Sequence, residues 1–348
     1  MLYSGERVKG RVNMWKLAID LGSSMTKIYR ADTSSGIVLV EPSCVAVAGE
    51  EKEIRAIGKD AKNLIGKTAE CTSIVYPVYE GEIVSLRLAS AMLKEFLSRV
   101  GVKSSALKRA QILFGIPCGA SERTQENYRL LAEECGLKKV YFVETPYLTA
   151  VASGGAFSES DPVFCMDIGG GVTNIAVVST DGIIAGVSMN IGGNNMDANI
   201  QNKVARVNGL RIGALTAERL KNEIGSLSPA VRGTMVAEGS SVESCRPSAV
   251  SVQASDLTDC IRVYVDKILE YASMVLKKLP AEVAATVNRN GAYLSGGVMK
   301  IPYLAQYIGA RLEMRYQVSE EPQYTAVLGG GAIVRDKDFL SHFSKNIE

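Results

Sequence analysis

Residues 17–28 read L-A-I-D-L-G-S-S-M-T-K-I, and residues 164–175 read F-C-M-D-I-G-G-G-V-T-N-I. The two stretches share four identical positions, each pair 147 residues apart: Asp20 and Asp167, Gly22 and Gly169, Thr26 and Thr173, and Ile28 and Ile175. The other positions agree mainly in their apolar or small character. Self-similarity at a fixed spacing is the signature of a repeated structural unit, so the chain is predicted to consist of two halves built on one plan.

Each copy of the repeat has the pattern of a β-hairpin. An apolar strand ends in an aspartate, a glycine-rich turn follows, and a threonine-containing strand leads away. Glycine lets the backbone of such a turn approach a ligand closely, so that several N–H groups can point at one anion. A hairpin without a ligand is the alternative interpretation of a single copy. Two copies that share Asp, Gly and Thr favour a pair of turns that hold a polyphosphate from both sides.

The sequence around the repeats predicts a mixed α/β fold. Helical spacing of apolar residues covers 81–100, and Ser121 is the N-cap of another helix. Pro146 suits the first position of a further helix, with Thr145 as its N-cap. The last predicted helix, 325–335, contains three consecutive glycines, which indicates either close packing or a break. Strands that alternate with helices indicate a mostly parallel sheet covered on both faces.

Composition excludes several classes of protein. The chain has 348 residues, 47% hydrophobic and 22% charged, which is typical of a globular protein with two domains or one large one. The net charge of +2 is far from the strongly basic charge that is typical of a nucleic-acid-binding protein, so no nucleic-acid partner is expected. The single histidine, His342, excludes a zinc site of histidines and a Ser-His-Asp relay. Seven cysteines without a C-x-x-C pair are typical of a cytosolic protein.

The apolar runs and the first residues predict a cytoplasmic protein. No run approaches the roughly 18 uninterrupted apolar residues of a membrane span, and the start lacks the apolar core of a signal peptide. Residues 1–13 are polar and slightly basic, which predicts either a flexible leader or a true start at Met14.

Six motifs along the chain carry a resemblance to a known family. They are D-L-G-S-S-M-T-K from Asp20, I-P-C-G from Ile116, E-T-P from Glu144, D-I-G-G-G-V-T-N from Asp167, A-E-R-L-K from Ala217 and S-G-G-V-M from Ser295. Their order and spacing resemble the actin superfamily and, within it, the MreB family of bacterial actins, over about residues 14–336. The resemblance implies an α/β, actin-like fold: two ribonuclease H-like domains with a nucleotide cleft between them, each with a small subdomain.

The resemblance also implies the domain boundaries. Domain I would comprise residues 14–154 together with 320–342, and its small subdomain would lie near 45–74. Domain II would comprise residues 155–319, with its small subdomain near 194–254.

Site residues follow from the resemblance only where the motifs match. Asp20 and Asp167 resemble the pair that holds Mg²⁺ through water, which suits a small cation that keeps most of its hydration shell. Glu218 and Lys221, three apart on one helical face, resemble the pair that meets the ribose and base. The base would lie flat on Gly296, Gly297, Val298 and Met299. The phosphates of ATP or ADP would meet Gly22, Ser23, Ser24, Met25, Thr26, Lys27, Gly169, Gly170, Gly171, Val172 and Thr173.

The catalytic candidates are Asp167, Glu144, Thr145 and Thr173. Three positions depart from the family: Lys27, where MreB usually has an apolar residue, Thr145 and Asn174. MreB has a glutamate immediately before the proline of the segment that here reads Glu144-Thr145-Pro146, and it has another glutamate where this chain has Asn174. A carboxylate or amide at these places suits the orientation of the attacking water. Threonine is shorter, so the sequence predicts slow ATP hydrolysis, assisted by Glu144 or Asp167 through water. Lys27 resembles a phosphate-contacting lysine of actin, with a solvated strand residue as the alternative.

The resemblance implies an ATP-binding cytoskeletal protein that forms filaments and organises cell shape or the cell wall. Its partners would be other copies of itself and, at the inner face of the membrane, the lipid surface and membrane-bound morphogenetic proteins. The loop that matches the membrane loop of MreB, residues 103–109, has one large apolar residue among three cations, so weak electrostatic attachment and a solvated loop both remain open. Three alternatives remain: a non-polymerising adaptor of the pilus-platform type, a chaperone-like ATPase module and a small-molecule kinase.

Overall fold

Residues 15–34, 36–67, 71–154, 161–228 and 230–336 are described in the computed structural model of the chain. The expected leader, the alternative start at Met14 and the single histidine, His342, lie outside these residues. The last part of the segment expected for domain I, residues 337–342, lies outside them as well.

The first half of the chain begins with two hairpin-connected strands and continues with alternating strands and helices. Its strands are β1 (Lys16–Leu21), β2 (Met25–Arg30), β3 (Ile37–Pro42), β4 (Val45–Ala48), β5 (Glu53–Ile57), β6 (Thr72–Val75), β7 (Val78–Tyr79), β8 (Glu82–Ile83), β9 (Gln111–Ile116) and β10 (Lys139–Glu144). Its helices are α1 (Lys59–Lys62), α2 (Leu86–Arg99), α3 (Ser104–Leu107), α4 (Glu122–Glu134) and α5 (Thr145–Ala152).

The second half repeats this order with longer helices. Its strands are β11 (Val163–Ile168), β12 (Thr173–Ser179), β13 (Gly182–Met189), β14 (Leu210–Arg211), β15 (Thr234–Ser241), β16 (Pro247–Gln253), β17 (Ala292–Ser295) and β18 (Tyr316–Val318). Its α-helices are α6 (Gly193–Asn208), α7 (Ala214–Ile224), α8 (Ala254–Leu276), α9 (Ala281–Asn290), α10 (Leu304–Leu312) and α11 (Thr325–Arg335), and short 3₁₀ helices cover Gly297–Lys300 and Pro322–Tyr324.

Two five-stranded sheets of identical topology form the centre of the two halves. Their strand orders are β10-β9-β1-β2-β3 and β18-β17-β11-β12-β13. In both sheets the first three strands of the half are antiparallel neighbours, and the two later strands add on in parallel. The prediction of two halves built on one plan is therefore confirmed.

The two predicted hairpins are present and have the same turn. The β1–β2 hairpin pairs Asp20 with Lys27, and the β11–β12 hairpin pairs Asp167 with Asn174. The N–H of Gly22 donates to the carbonyl of Met25 at 3.2 Å, and the N–H of Gly169 donates to the carbonyl of Val172 at 2.9 Å. The repeat in the sequence thus encodes a repeated backbone turn, and each aspartate is the next-to-last residue of its strand, at the same edge of its sheet.

Smaller sheets lie beside the two large ones. The first is three-stranded, in the order β5-β4-β6, and carries the short helix α1. The second has the order β14-β15-β16 and packs against α7. They fall within the segments expected for the two small subdomains, and the division of the chain into domains I and II remains our interpretation.

Helices α5 and α11 pack against each other between the two large sheets, and each covers the sheet of the other half. Helix α5 follows the first sheet in the chain and lies on β11 and β12, whereas α11 follows the second sheet and lies on β1, β2 and β9. The core between the halves includes Ala18, Leu113, Leu148, Cys165 and Val327, all at most 2% exposed. Each half therefore completes its core with a helix from the other.

The three glycines of α11 serve this close packing, so the alternative of a helix break is wrong. A Cβ atom on Gly329 would lie 1.9 Å from the backbone oxygen of Leu148 in α5, and one on Gly331 would lie 2.7 Å from the ring of Tyr29. The helix runs through all three glycines. Their low helix propensity is offset by the close approach of the two helices and the sheet.

Two predicted helix starts are shifted in the structure. The helix predicted from residue 81 begins at Leu86, with Ser85 as its N-cap, because residues 82–83 pair with β7 instead. Helix α5 begins at Thr145 and has Glu144 as its N-cap residue, so Thr145 is not the N-cap. None of the described helices combines the length and apolar character that a membrane crossing requires.

Candidate functional site

A deep cleft lies between the two halves, where the turns of the two hairpins face each other. The cleft encloses about 560 Å³, and both large sheets and the segment expected for the second small subdomain contribute to its walls. This volume is in the range of pockets that bind cofactor-sized ligands. The repeat therefore places two glycine turns on opposite walls of one ligand-sized cavity.

Most residues expected at the site line this cleft. They are Asp20, Gly22, Ser23, Ser24, Met25, Lys27, Thr145, Asp167, Gly169, Gly170, Gly171, Val172, Glu218, Lys221, Gly296, Gly297 and Val298. They come from five separate segments, so the fold brings together residues that are far apart in the sequence.

The two turns approach each other so closely that only glycine fits on one side. A Cβ atom on Gly170 would lie 2.1 Å from the hydroxyl oxygen of Ser24, and one on Gly171 would lie 2.8 Å from that of Ser23. The Ser24 hydroxyl also donates to the side-chain oxygen of Asn194 at 3.1 Å, which ties the first turn to helix α6 of the second half. Small residues therefore keep open the space into which the backbone N–H groups of both turns can point.

Asp20 and Lys27 form an ion pair on the wall of the first half. The Lys27 Nζ lies 2.6 Å from the Asp20 Oδ2, and the side chains are 14% and 20% exposed. Burial alone would lower the pKa of the Lys27 ammonium, but the attraction of Asp20 outweighs it and the pKa lies above the usual value. Lys27 is thus a permanently charged cation in the cleft and not a solvated strand residue.

Asp167 occupies the matching place in the second half without a cation directly on it. Its Oδ1 accepts a hydrogen bond of 2.8 Å from the hydroxyl of Ser295. Removal from bulk water raises the pKa of Asp167 to about 6, and the nearby Asp20 carboxylate adds to the rise, whereas Ser295, Lys27 and Asn174 oppose it. The second wall therefore holds a carboxylate whose ionised form would be stabilised by a nearby positive charge.

The two carboxylates fit the Mg²⁺ site that the resemblance implies. Asp20 and Asp167 line one cleft and repel each other, so a divalent cation between them would relieve the repulsion. Among the described residues, no group of three or more His, Cys, Asp or Glu side chains gathers around a common point. Two carboxylates without further protein ligands suit Mg²⁺, which keeps several waters, better than an ion that needs a full protein cage.

Four expected site residues do not line the cleft. Thr26 and Thr173 are fully buried behind their turns, where the Thr26 hydroxyl pairs with that of Ser43 and the Thr173 hydroxyl donates to the carbonyl of Ile191. Side chains alternate across a strand, so Lys27 faces the cleft and Thr26 faces away. The structure therefore corrects the assignment of phosphate contacts to both threonines, and of a catalytic role to Thr173.

The other two are Glu144 and Met299. The Glu144 carboxylate accepts a hydrogen bond from the N–H of Gly119, and its side chain is directed to that loop instead of the cleft. Met299 is 7% exposed and packs in the core of the second half. The structure therefore argues against Glu144 as a carboxylate that assists hydrolysis, and against Met299 as part of the base platform.

The two residues at the water-positioning places have their polar groups engaged elsewhere. The Thr145 hydroxyl donates to the carbonyl of Ile116 at 3.0 Å, and the Asn174 Oδ1 accepts from the N–H of Cys118 at 3.0 Å. Both side chains line the cleft and both are nearly buried. Each therefore stabilises the segment 116–118 that forms the back wall.

Glu218 and Lys221 line the cleft but point to different partners. Glu218 reaches the other half of the molecule, where its two carboxylate oxygens lie 2.7 Å and 3.1 Å from the Lys62 Nζ of α1. Lys221 is 7% exposed, and its Nζ lies 2.7 Å from the Asp197 Oδ2 and 3.1 Å from the carbonyl of Gly193. The expected pair is thus split between an ion pair across the cleft and a buried ion pair in its wall.

Sequence reasoning missed Lys62, Asp197, Asn194 and Gln323. Asp197 and Asn194 lie in the first turns of α6, which follows the third strand of the second half, and no motif of the repeat includes them. Lys62 and Glu218 are 156 residues apart in the sequence, and no sequence pattern predicts their contact. Gln323 lines the cleft beside the Gly296–Gly297 turn.

The turn expected under the base depends on one glycine in the left-handed region. Gly296 has a φ of 95°, and a Cβ atom there would lie 2.2 Å from the carbonyl oxygen of Ile168. Its N–H donates to the carbonyl of Pro322 at 2.7 Å. The turn is therefore held flat between β11 and the Pro322–Tyr324 segment, with its open side on the cleft.

Two ribonuclease H-like halves that close on a cleft with paired glycine turns define an actin-like protein. The crystal structure of MreB5 of Spiroplasma citri bound to AMPPNP matches the chain with a TM-score of 0.88 and 25% sequence identity, over 96% of this chain and 99% of that chain. A MamK double helical filament matches with a TM-score of 0.75 at 18% identity, over 92% of this chain and 99% of that chain, and supports the fold alone.

Sequence comparison places the chain more narrowly. The MreB/Mbl protein family matches residues 14–342. Over 326 residues the chain is 32% identical to the cell shape-determining protein MreB of Escherichia coli K12, covering 90% of this chain and 92% of that protein. Over 325 residues it is 29% identical to the cell shape-determining protein Mbl of Bacillus subtilis 168, covering 93% and 97%. The chain belongs to the MreB/Mbl family.

Proposed function

We propose that this chain is an ATP-binding cytoskeletal protein that forms nucleotide-dependent filaments and takes part in cell-shape or cell-wall organisation. The observation that carries the proposal is the pair of matching turns, residues 22–25 and 169–172, on opposite walls of a nucleotide-sized cleft in an MreB/Mbl chain. Related proteins named cell shape-determining, and the MreB5 structures with AMPPNP and ADP, support it.

In this proposal the two turns and Lys27 bind the phosphates. Backbone N–H groups of both turns donate to the phosphate oxygens, and the Lys27 ammonium adds a charge-assisted hydrogen bond. Asp20 and Asp167 hold Mg²⁺ through water, and the ion supplies positive charge against the phosphate oxygens when it is bound. The base lies on the Gly296–Gly297 turn, beside Val298.

We propose that hydrolysis is slow because no free carboxylate stands at either water-positioning place. Thr145 and Asn174 are engaged with the 116–118 segment, which leaves Asp167 as the carboxylate that can orient a water in the cleft. A Thr145→Glu substitution is expected to raise the single-turnover rate of ATP hydrolysis, and Glu144→Ala is expected to leave it unchanged. A wild-type rate equal to that of E. coli MreB would contradict this part of the proposal.

We propose a location at the inner face of the cytoplasmic membrane, with weak electrostatic attachment. Lys103, Lys108 and Arg109 are exposed at α3, whereas Leu107 packs against the core of the first half. The one large apolar residue of this loop is therefore not free to insert into lipid, and the three cations are exposed. Membrane-bound morphogenetic proteins are the proposed partners besides other copies of the chain.

The test of assembly is sedimentation and electron microscopy of the purified protein with Mg²⁺ and ATP, ADP or no nucleotide. Filaments that require nucleotide are the expected result, and a Gly170→Val variant serves as the control that disturbs the turns. Protein that binds ATP but stays monomeric under all conditions would refute polymerisation and favour the non-polymerising adaptor.

A further inference from the structure

A buried tyrosine that the proposed function does not use lies at the cleft. Tyr128 of α4 is 1% exposed, and it lines the cleft. Its ring is in edge-to-face contact with Phe114 of β9 and Phe142 of β10, with centroid distances of 6.2 Å and 6.3 Å. The apolar part of the side chain is therefore enclosed by the core of the first half.

The hydroxyl of Tyr128 is a polar group without a partner, and it is not sealed from solvent. No described residue forms a hydrogen bond with it, and it is not one of the fully buried polar atoms that lack a partner. A phenol hydroxyl can donate one hydrogen bond and accept others, and polar groups in protein interiors almost always have partners. Because the ring is enclosed, the hydroxyl meets solvent only in the cleft, where a bound group can complete its hydrogen bonds.

The charges around this hydroxyl place it at the phosphate end of the cleft. Burial raises the pKa of Tyr128 above its usual range, and the nearby carboxylates of Asp20 and Glu82 add to the rise. Asp20 itself lines the cleft, immediately before the first glycine turn, residues 22–25. The hydroxyl therefore stays neutral, and it can approach a phosphate group without the repulsion that a carboxylate would meet.

Two hydrogen bonds fix the position of Tyr128 relative to the first glycine turn. The hydroxyl of Thr124, one helical turn before Tyr128, donates to the Glu82 carboxylate of β8. The N–H of Gly81, the residue before Glu82, donates to the hydroxyl of Ser23 in the turn at 3.3 Å. Helix α4 is therefore tied through the β7–β8 hairpin to a turn that binds phosphate in the proposed function.

We propose that the Tyr128 hydroxyl positions the water that attacks the terminal phosphate of ATP, by accepting a hydrogen bond from that water. The inference rests on the proposed function, because it requires ATP in the cleft. The polar groups of Thr145 and Asn174 are engaged with the back wall, whereas the Tyr128 hydroxyl is free to bind a water. A neutral phenol orients a water without removing its proton, which agrees with the slow hydrolysis proposed above.

The reaction that this water undergoes is the ordinary hydrolysis of ATP. A lone pair of the water oxygen forms the bond to the terminal phosphorus, and the bond from that phosphorus to the bridging oxygen breaks. The bridging oxygen leaves with ADP and keeps the electron pair of the broken bond. One proton of the water stays on inorganic phosphate, and the other is released to solvent. Tyr128 keeps its own proton throughout and acts only by orienting the water.

The experiment compares the wild type with Tyr128→Phe, which keeps the ring and its packing and removes only the hydroxyl. Single-turnover hydrolysis of ATP by the full chain is measured with Mg²⁺, and the affinities for ATP and ADP are measured by titration calorimetry. The hydrolysis rate is expected to fall at least roughly tenfold, because a hydrogen bond to the attacking water is lost. Both affinities are expected to stay within about twofold of the wild type, because the hydroxyl meets the water and not the nucleotide.

Tyr147→Phe is the matched control, and it is expected to keep the wild-type rate. Tyr147 is 7% exposed, donates to the carbonyl of Thr180 at 3.0 Å, and is not among the described residues that line the cleft. An unchanged rate in Tyr128→Phe, or an equal fall in both variants, would overturn the proposal. So would a loss of affinity for ATP but not for ADP, because the hydroxyl would then bind the terminal phosphate itself.

The wild type separates this inference from the proposed function. Wild-type protein that binds ATP and does not hydrolyse it would overturn the role of Tyr128 and leave nucleotide binding intact. Absence of ATP binding by the wild type would instead refute the proposed function.

Discussion

The two glycine turns have the same backbone and opposite electrostatics. Each follows a central strand whose next-to-last residue is an aspartate, and each closes with the same hydrogen bond between the first and fourth residues of the turn. At the position that faces the aspartate across the hairpin, the first half has Lys27 and the second half has Asn174. The two halves therefore share the geometry of the turn and differ in the charge of the residue opposite the aspartate.

The difference assigns different tasks to the two walls. On the first wall the ion pair of Asp20 with Lys27 holds a cation in the cleft. On the second wall the hydrogen-bond partners of Asp167 among the described residues are the neutral side chains of Ser295 and Asn174, and burial raises its pKa to about 6. We interpret the first wall as the one that binds phosphate directly, and the second as the one that responds to the metal ion and to pH.

The largest expected effect comes from closing the gap between the turns. Gly170→Val would place a side chain on the Ser24 hydroxyl, and overpacking of a tight contact costs about 1–3 kcal/mol, so ATP affinity should fall roughly ten- to hundredfold. Titration calorimetry measures the loss. Gly213→Ala is the control, since a Cβ atom there meets nothing within 4 Å. Unchanged affinity in Gly170→Val would show that the turns do not need this close approach.

The next effect tests the asymmetry of charge. Lys27→Met removes the cation and leaves Asp20 and Asp167 facing each other, so affinity for Mg²⁺·ATP should fall by roughly tenfold. Lys139→Met, at an exposed strand lysine, should leave the affinity unchanged in the same titration. If both variants bind as the wild type does, the first wall does not act through its charge.

A smaller effect concerns the stability of the second wall. The pKa of Asp167 rises from an ordinary value of 3.8 to about 6, so the folded state binds more protons than the unfolded state between these values, and the free energy of unfolding falls as pH rises through this window. Asp167→Asn should therefore stabilise the nucleotide-free protein at pH 7.5, on the order of 1 kcal/mol since cleft water screens the charge.

Urea denaturation of wild type and variant between pH 4.5 and 7.5 measures this difference, which should shrink as pH falls. Asp181→Asn, at an exposed carboxylate in the same half, should show no such trend. If Asp167→Asn stabilises the protein by the same amount at every pH, the raised pKa of Asp167 is not the cause of the stabilisation.

The smallest effect belongs to the ion pair between the halves. Lys62 and Glu218 are 31% and 39% exposed, so Lys62→Met should change the free energy of unfolding by less than about 1 kcal/mol. Because the pair bridges the cleft, nucleotide dissociation should become faster, as measured by stopped-flow release of a fluorescent nucleotide. Lys59→Met, at an exposed lysine on the same helix, is the control. Equal release rates in the two variants would show that the ion pair does not slow the opening of the cleft.

The fold could be predicted from the sequence to the extent that the repeat encodes it. The two hairpins, their turns and the equivalence of the halves all follow from residues 17–28 and 164–175, because a glycine turn after an apolar strand has few other structures available. The packing of α5 and α11 on the opposite sheets could not be predicted, since it depends on contacts between segments that share no local pattern.

The repeat also explains one wrong assignment within the candidate site. Thr26 and Thr173 are identical in the two copies, which made them look like ligand residues. Each instead fastens its hairpin to the segment after the third strand, through Ser43 in one half and the carbonyl of Ile191 in the other. Identity between the copies therefore reports structural as well as binding roles, and only the side of the strand separates them.

The exchange of α5 and α11 determines when the molecule can finish folding during synthesis. Helix α11 covers β1, β2 and β9 but is made about 300 residues after β1. At ribosomal rates of about 5–20 residues per second, the place that α11 occupies on the first sheet stays uncovered for on the order of 15–60 seconds. The first half can therefore complete its core only after α11 has been synthesised.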